Sequence, residues 1–377
     1  HAGRSCGLIG TLGNYLGEEV LPTVNTTPGA AVLEDLLQRM KEERIGSCAL
    51  EASSHGLSQG RLKGLQMECG IFTNLTPEHL DWHKTMEAYY EAKKRLFAQC
   101  RTAVVNTDDG WGRRLASELL QEGRRVLTCS LESGEADFGL GEAELLLPEK
   151  LPIPGRFNRS NALLAAACCR EEGIPVKRIR EGLKCMEPVP GRMEEVQNAL
   201  GIRVLVDYAH TPDALQQVLQ ALGEGRSQIC GGPEGGAKFA IDAAPKQITV
   251  FGCGGERDPE KRPLMGLAAG RGSTLCILTR DNPRGEDDTA IFAAAEEGLR
   301  RTGCPYTIVA DRKEAIQYAL SLCERGDTLL IAGKGHETYQ IIGREKLPFD
   351  DRRTAAELLR QKERAAEFAA KEQGERP

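Results

Sequence analysis

Short apolar runs alternate with amphipathic stretches along the chain. "SCALEASS" (Ser47–Ser54) and "TAVVNTDD" (Thr102–Asp109) read as buried strands that end in polar loops. "AAVLEDLLQRMKEE" (Ala30–Glu43) and "NALLAAACCREEG" (Asn161–Gly173) have apolar residues at helical spacing and read as helices, the first closed by charged, solvent-facing positions. Alternation of strand and helix implies a parallel sheet covered on both faces. The opening "HAGRSCGLIGTLGN" reads as the end of a helix running into a strand, and the chain as an N-terminal fragment.

"MEPVPGRMEEV" (Met186–Val196), with two prolines and a glycine, reads as a hinge between domains at 1–187 and 188–377. Beyond it the alternation restarts in "IRVLVDYAHTPDALQQVLQAL", "QITVFGCGGERD", "TLCILTRDNPR", "YTIVADRKEAIQYAL" and "DTLLIAGKGHE". Each is a strand running into a loop with Gly, Asp or His. Five such units suit a doubly wound domain with ligands at the carboxyl ends of its strands. The glycine-rich Gly223–Lys246 reads as a flexible insertion, and the tail from Arg352 as a charged, alanine-rich helix.

A length of 377 residues fits two domains. A net charge of −6 with no long basic run argues against nucleic acid as a partner. The 13 cysteines are odd in number and form no CxxC, so they read as mostly buried thiols in a reducing cytoplasm. No signal peptide is recognisable and no apolar run reaches the ~18 residues of a membrane span. The expectation is a cytoplasmic monomer acting on small molecules, without a membrane partner.

The chemistry concentrates at strand ends. "TRDNPRGED" places both signs of charge, stiffened by Pro283, where an α/β sheet binds its ligand. His55, His79, His83, His210 and His336 all lie in polar loop contexts, which points to a site. "HLDWH" spaces two imidazoles for one helix face, but it lacks the HExxH glutamate, so zinc is a weak reading. Glu51 and Asp81 supply the oxygens that magnesium prefers. "VDYAHTPDAL" puts Asp207, His210 and Thr211 before a helix whose N-terminus suits a phosphate, or simply caps that helix. The glycines of "FGCGGERDPEKRP" imply close backbone approach to a ligand, with Arg257 following. "AGKGHE" has the glycines and lysine of a phosphate loop without the spacing, and no G-x-x-x-x-G-K-[ST] occurs.

In order, "NTTP", "EASSHGL", "FTNLTPEHLDWH", "EAKK", "GRFNRSN", "DYAHTPDAL", "FGCGGERD", "KRPLMG", "DNPR" and "AGKGHETYQ" resemble the Mur ligase family, from about Gly10 to about Arg353. The resemblance is to members that add the third amino acid to the peptidoglycan precursor. It implies a truncated P-loop-type central ATPase domain with a parallel sheet (1–187), then a Rossmann-like doubly wound C-terminal domain that binds the incoming amino acid (188–377). It also implies an ATP- and Mg2+-dependent ligase. ATP phosphorylates the D-glutamate side-chain carboxylate of UDP-N-acetylmuramoyl-L-Ala-D-Glu, and an amine attacks the acyl phosphate.

By motif match, Thr26, Thr27, Ser53 and Arg61 would contact the UDP precursor, and Glu51, His79 and a carbamylated Lys93 would hold magnesium. Without the family, Lys93 reads as a solvated helix lysine. Asn158 and Asn161 would lie on the adenine side, with Arg192, Asp207 and His210 facing ribose and phosphates. Lys93, His210 and Glu51 would carry catalysis. "DNPR" resembles the signature for meso-diaminopimelate: Arg284 would pair with its distal carboxylate, beside Arg257, Asp281, Asn282, Gly333 and Glu337.

Three departures stand out. The family's phosphate loop and uridine-binding domain precede the region where this chain starts, which implies a severely impaired or inactive fragment. Residues 131–155 look shorter than the family pattern, and the 223–246 insertion has no counterpart. A folylpolyglutamate-synthetase-like ligase and a catalytically dead amino-acid-binding relative remain as alternatives.

Overall fold

The computed structural model describes residues 3–229 and 245–374, which fall into two compact units, His1–Glu187 and Pro188–Pro377. The expected flexible insertion lies largely at 230–244, outside the described residues.

In the first unit, β1 (Cys6–Gly10), β2 (Gly13–Leu16) and β3 (Glu19–Leu21) form an antiparallel meander, where the opening stretch had read as a helix end. Two-residue turns join Gly10 to Gly13 and Leu16 to Glu19, and such short strands carry little periodicity. After α1 (Ala30–Glu42), β4 (Ser47–Leu50) pairs in parallel with β1. Contrary to the expectation of a buried strand, Ser47, Cys48 and Ala49 are exposed. β4 is the edge of its sheet among the described residues, and only Leu50 packs against the core around Ile9 and Phe72.

The chain continues through α2 (Ser54–Ser58), β5 (Met67–Phe72), α3 (Leu80–His83), α4 (Met86–Lys94), β6 (Cys100–Asn106), α5 (Gly110–Gln121) and β7 (Arg125–Cys129). Strands β5, β6 and β7 form a parallel sheet. Alternate residues of β6 enter different cores, as the period of two requires: Ala103 and Val105 meet Leu115 and Leu119 of α5, and Val104 meets the opposite face. There α6 (Leu140–Leu146), α7 (Arg156–Glu171) and α8 (Val176–Lys184) supply Leu146, Leu163, Leu164 and Ile179. In the 131–155 neighbourhood, Asp137 accepts from Thr128 N at 2.8 Å and Phe138 bridges Cys129, which partly covers the outer edge of β7.

The second unit runs β8 (Glu194–Val196), β9 (Arg203–Asp207), α9 (Pro212–Ile229), β10 (Gln247–Phe251), α10 (Lys261–Gly272), β11 (Leu275–Leu278), α11 (Asp288–Arg300), β12 (Tyr306–Ile308), α12 (Arg312–Leu322) and β13 (Thr328–Ala332). A hairpin of β14 (Tyr339–Ile342) and β15 (Glu345–Pro348) and then α13 (Asp351–Gly374) follow. The sheet order is β12-β11-β10-β13-β9-β8, parallel except for β8. Every residue of β10 and β13 is buried, as a central parallel strand demands. Ile248, Val250, Leu329 and Ile331 pack with Ile316 of α12 and Leu359 of α13. From β10 the chain steps outward to β11 and β12, then returns with β13 between β10 and β9. That reversal opens a crevice at the carboxyl ends of β10 and β13.

Buried Arg312 locks these layers: it donates to Asp351 at 2.8 Å through Nε and Nη2, and Nη2 also reaches Ala332 O at 2.9 Å. Among the described residues, no helix is long and apolar enough to cross a membrane. The described cysteines are free thiols; Cys6, Cys48 and Cys185 are exposed rather than buried.

Candidate active site

Three loops meet at the crevice of the second unit. The loop after β10 and the loop after β11 interlock because Gly255 has no side chain: a Cβ there would lie 1.9 Å from Pro283 O. Gly255 N donates to Asn282 O at 2.9 Å. Gly333, after β13, has φ +115° and passes Asp281 so closely that a Cβ would sit 2.6 Å from Oδ2.

Arg284 is held in the left-handed region at φ 54°, tied to β14 by its N–H to Ile341 O at 3.1 Å. A non-glycine residue in this region signals a conformation imposed by its surroundings. Its Nη1 donates to Gly255 O at 2.7 Å and Asn282 O at 3.3 Å. Among the described residues Nε and Nη2 make no hydrogen bond, so the side of the guanidinium that matches a carboxylate fork is left over.

Beside it, Asp281 and Asn282 are buried, Asn282 Nδ2 donates to Glu337 Oε2 at 3.1 Å, and Gln340 Nε2 donates to Asp281 O at 2.7 Å. The structure therefore gathers Asp281, Asn282, Arg284, Gly333 and Glu337. Arg257 sits on the adjoining loop, exposed, with its Cγ 3.6 Å from where a Cβ on Gly254 would be. Lys334, the lysine of "AGKGHE", is fully buried and points at Asn282 and Glu337.

Next along the sheet, at the end of β9, Asp207 accepts from Met193 N at 2.7 Å and Ala209 N at 2.8 Å. Both carboxylate oxygens thus brace the loop. Burial raises Asp207 above the usual carboxylate value despite these donors and the nearby Arg192. Arg192 lies over the Tyr208 ring at 5.1 Å, and His210 meets the same ring edge-on at 4.6 Å.

In the first unit a second group converges. Thr27 is fully buried; its Oγ1 donates to Glu51 O at 2.7 Å, accepts from Ser53 N at 2.9 Å and lies 3.0 Å from Ser53 Oγ. Arg61 Nη1 donates to Thr27 O at 2.6 Å. Thr11 joins the two subsets: its Oγ1 donates to Glu51 Oε2 at 2.6 Å and lies 3.0 Å from Thr26 Oγ1. Sequence reading missed Thr11 because its partners are 15 and 40 residues away.

His79, itself left-handed at φ 58°, meets the His55 ring at 4.9 Å, and His83 stacks on Tyr89 at 5.0 Å. Burial lowers His79 below its ordinary value, opposed by Glu78. Lys93 is half-buried rather than solvated, with Nζ 3.5 Å from Ala52 O. Burial lowers its pKa against the pull of Glu78 and Glu51, which places these groups in one electrostatic neighbourhood. Among the described residues no three His, Cys, Asp or Glu side chains form a ready metal cage. Asn158 donates to Pro154 O at 2.7 Å and Asn161 is exposed one turn on, in the first turns of α7.

Each of the two units has counterparts among known proteins. Residues 2–169 match the Mur ligase middle domain and residues 191–335 the Mur ligase glutamate ligase domain. A UDP-N-acetylmuramoyl-L-alanyl-D-glutamate--2,6-diaminopimelate ligase of Caldanaerobacter subterraneus is 38% identical, over 95% of this chain and 73% of that protein. The ligase of the same name from Clostridioides difficile is 40% identical, over 94% and 72%. A solved structure of such a ligase aligns with TM-score 0.59 and 33% identity, over 96% of this chain and 73% of that one. Folylpolyglutamate synthase of Thermotoga maritima shares the fold at TM-score 0.53 and 14% identity, over 88% and 80%. With both domains matched in order and relatives of this similarity, the chain belongs to the Mur ligase family of ATP-dependent, amide-forming ligases.

Proposed function

We propose that this protein adds meso-2,6-diaminopimelate to UDP-N-acetylmuramoyl-L-Ala-D-Glu in peptidoglycan synthesis, as a cytoplasmic monomer with no nucleic-acid or membrane partner. The observation that carries the amino-acid assignment is the free fork of Arg284 beside Glu337. It offers two parallel N–H donors to a distal carboxylate and a carboxylate to the distal ammonium. The names of the relatives point the same way.

Bound ATP and Mg2+ supply the phosphoryl group that makes a leaving group of the D-glutamate carboxylate, and the charge that neutralises it. Glu51, whose Oε2 is oriented by Thr11, would offer magnesium one carboxylate. Burial lowers the pKa of Lys93 and so favours the neutral amine that takes up carbon dioxide; a carbamate there would add oxygen ligands beside His79. Thr26, Thr27, Ser53 and Arg61 orient the precursor. Asn158 and Asn161 of the first unit would serve the adenine; in the second unit Arg192 and His210 would serve ribose and phosphates, with Asp207 holding the loop that carries His210. Arg257, Asp281, Asn282, Arg284, Gly333 and Glu337 receive the incoming amino acid and aim its reacting amine.

The test is a substrate panel: intact protein, precursor dipeptide, ATP and Mg2+ with meso-diaminopimelate, L-lysine or L-glutamate, read by product mass and phosphate release. Diaminopimelate adduct alone is expected. Glutamate adduct would favour the folylpolyglutamate-like reading, and no ATP turnover with any amine would favour a binding protein.

A further inference from the structure

Lys334 follows β13 and is fully buried, although its ammonium is charged and long-stemmed. Nζ donates to Glu337 Oε2 at 3.0 Å and Asn282 Oδ1 at 3.1 Å, and lies 3.7 Å from Asp281 Oδ1. Asn282 Oδ1 accepts a second bond from Ile341 N at 2.9 Å. With two donors on that oxygen the amide has one orientation, and Nδ2 must face Glu337 Oε2, which it does at 3.1 Å. Glu337 Oε2 therefore carries two donors, and Oε1 is the oxygen with no hydrogen bond among the described residues.

Lys334 is set against both acids, Asp281 and Glu337. A zwitterionic amino-acid end, which brings one charge of each sign, meets a pocket that already presents groups of both signs.

We infer that Lys334 is a positioning residue for the distal end of the incoming diamino acid: by holding Asn282 Oδ1 and Glu337 Oε2 it presents Glu337 Oε1 to the substrate ammonium. This rests on the diaminopimelate reading above. Lys334 touches no substrate atom; it acts through Asn282 and Glu337.

The experiment compares wild type, Lys334→Met, Glu337→Gln and the double variant in steady state, varying meso-diaminopimelate and ATP separately. Wild type must use diaminopimelate; if it does not, the functional reading fails before Lys334 is tested. Lys334→Met is expected to raise KM for diaminopimelate about 30-fold, with kcat and KM for ATP within about 3-fold. In the Glu337→Gln background the same change is expected to add less than about 3-fold, because the group it orients is already gone. That comparison carries the test alone if Lys334→Met does not fold, since the double variant removes one charge of each sign. An unchanged KM for diaminopimelate, equal losses toward ATP, or a full 30-fold effect in the Glu337→Gln background would each overturn the inference.

Discussion

Arg284→Ala isolates the fork on which the amino-acid assignment rests. In the intact site, Nε and Nη2 together would make two charge-assisted hydrogen bonds to the distal carboxylate. Bonds of that kind contribute about 1.5–3 kcal/mol each, and the half-buried setting and the cost of desolvating the ligand reduce the pair to about 3 kcal/mol. At 1.36 kcal/mol per factor of ten, kcat/KM for meso-diaminopimelate falls by about 150-fold. L-Lysine has no distal carboxylate and so loses nothing by the same route, which collapses the preference by the same factor. Arg284→Lys keeps a charge but not the fork, and a loss of about 10-fold is expected. Removing Nη1 also frees the carbonyls of Gly255 and Asn282, bonded at 2.7 and 3.3 Å, so the loop loosens. Thermal melting measures that separately, and a looser loop would depress both amines alike. The assay is product formation with each amine under limiting substrate. A ratio of diaminopimelate to lysine that moves by less than about 3-fold in Arg284→Ala would refute the reasoning.

Three further outcomes follow from particular contacts. Burial opposes ionisation of Glu118, but bonds from Lys94, Tyr90 and Arg114 prevail and hold it from 4.5 down to about 2. A depressed carboxylate stabilises above its ordinary value and loses that contribution as pH falls toward the folded one. After allowance for solvent, Glu118→Gln should cost about 1–2 kcal/mol in urea unfolding near pH 7, a gap that narrows below about pH 4.5. Arg312→Met leaves Asp351 buried without its cation and should cost about 3–5 kcal/mol, largely recovered in Arg312→Met/Asp351→Leu, by the same unfolding measurement. Gly333→Ala forces a Cβ against Asp281 at a φ of +115° and should cost about 1–3 kcal/mol while raising KM for diaminopimelate, read by melting and kinetics on one preparation.

The residue types of the proposed amino-acid site were legible because each lies in a loop directly after an apolar run, and the ends of parallel strands are where ligands bind. What a linear pattern does not contain is which strand ends are neighbours. Lys334 and Asn282 are 52 residues apart and meet because β13 returns beside β10, whose other neighbour is β11. Read alone, "AGKGHE" has the glycines and lysine of a phosphate loop without its spacing; placed beside the loop after β11, its lysine is a buried donor to Asn282 and Glu337. The same limit hid Thr11 from Glu51 and made β4 look buried, since an apolar run is the same string at the edge of a sheet as at its centre. Asp207 shows the converse. Its motif marks it for a nucleotide, yet both its oxygens close a turn with Met193 and Ala209, so substituting it would displace His210 and Arg192 through the backbone before any ligand contact was lost. A motif identifies the loop on which a function depends, and the hydrogen-bond partners decide which of its residues touch the ligand and which hold the others in place.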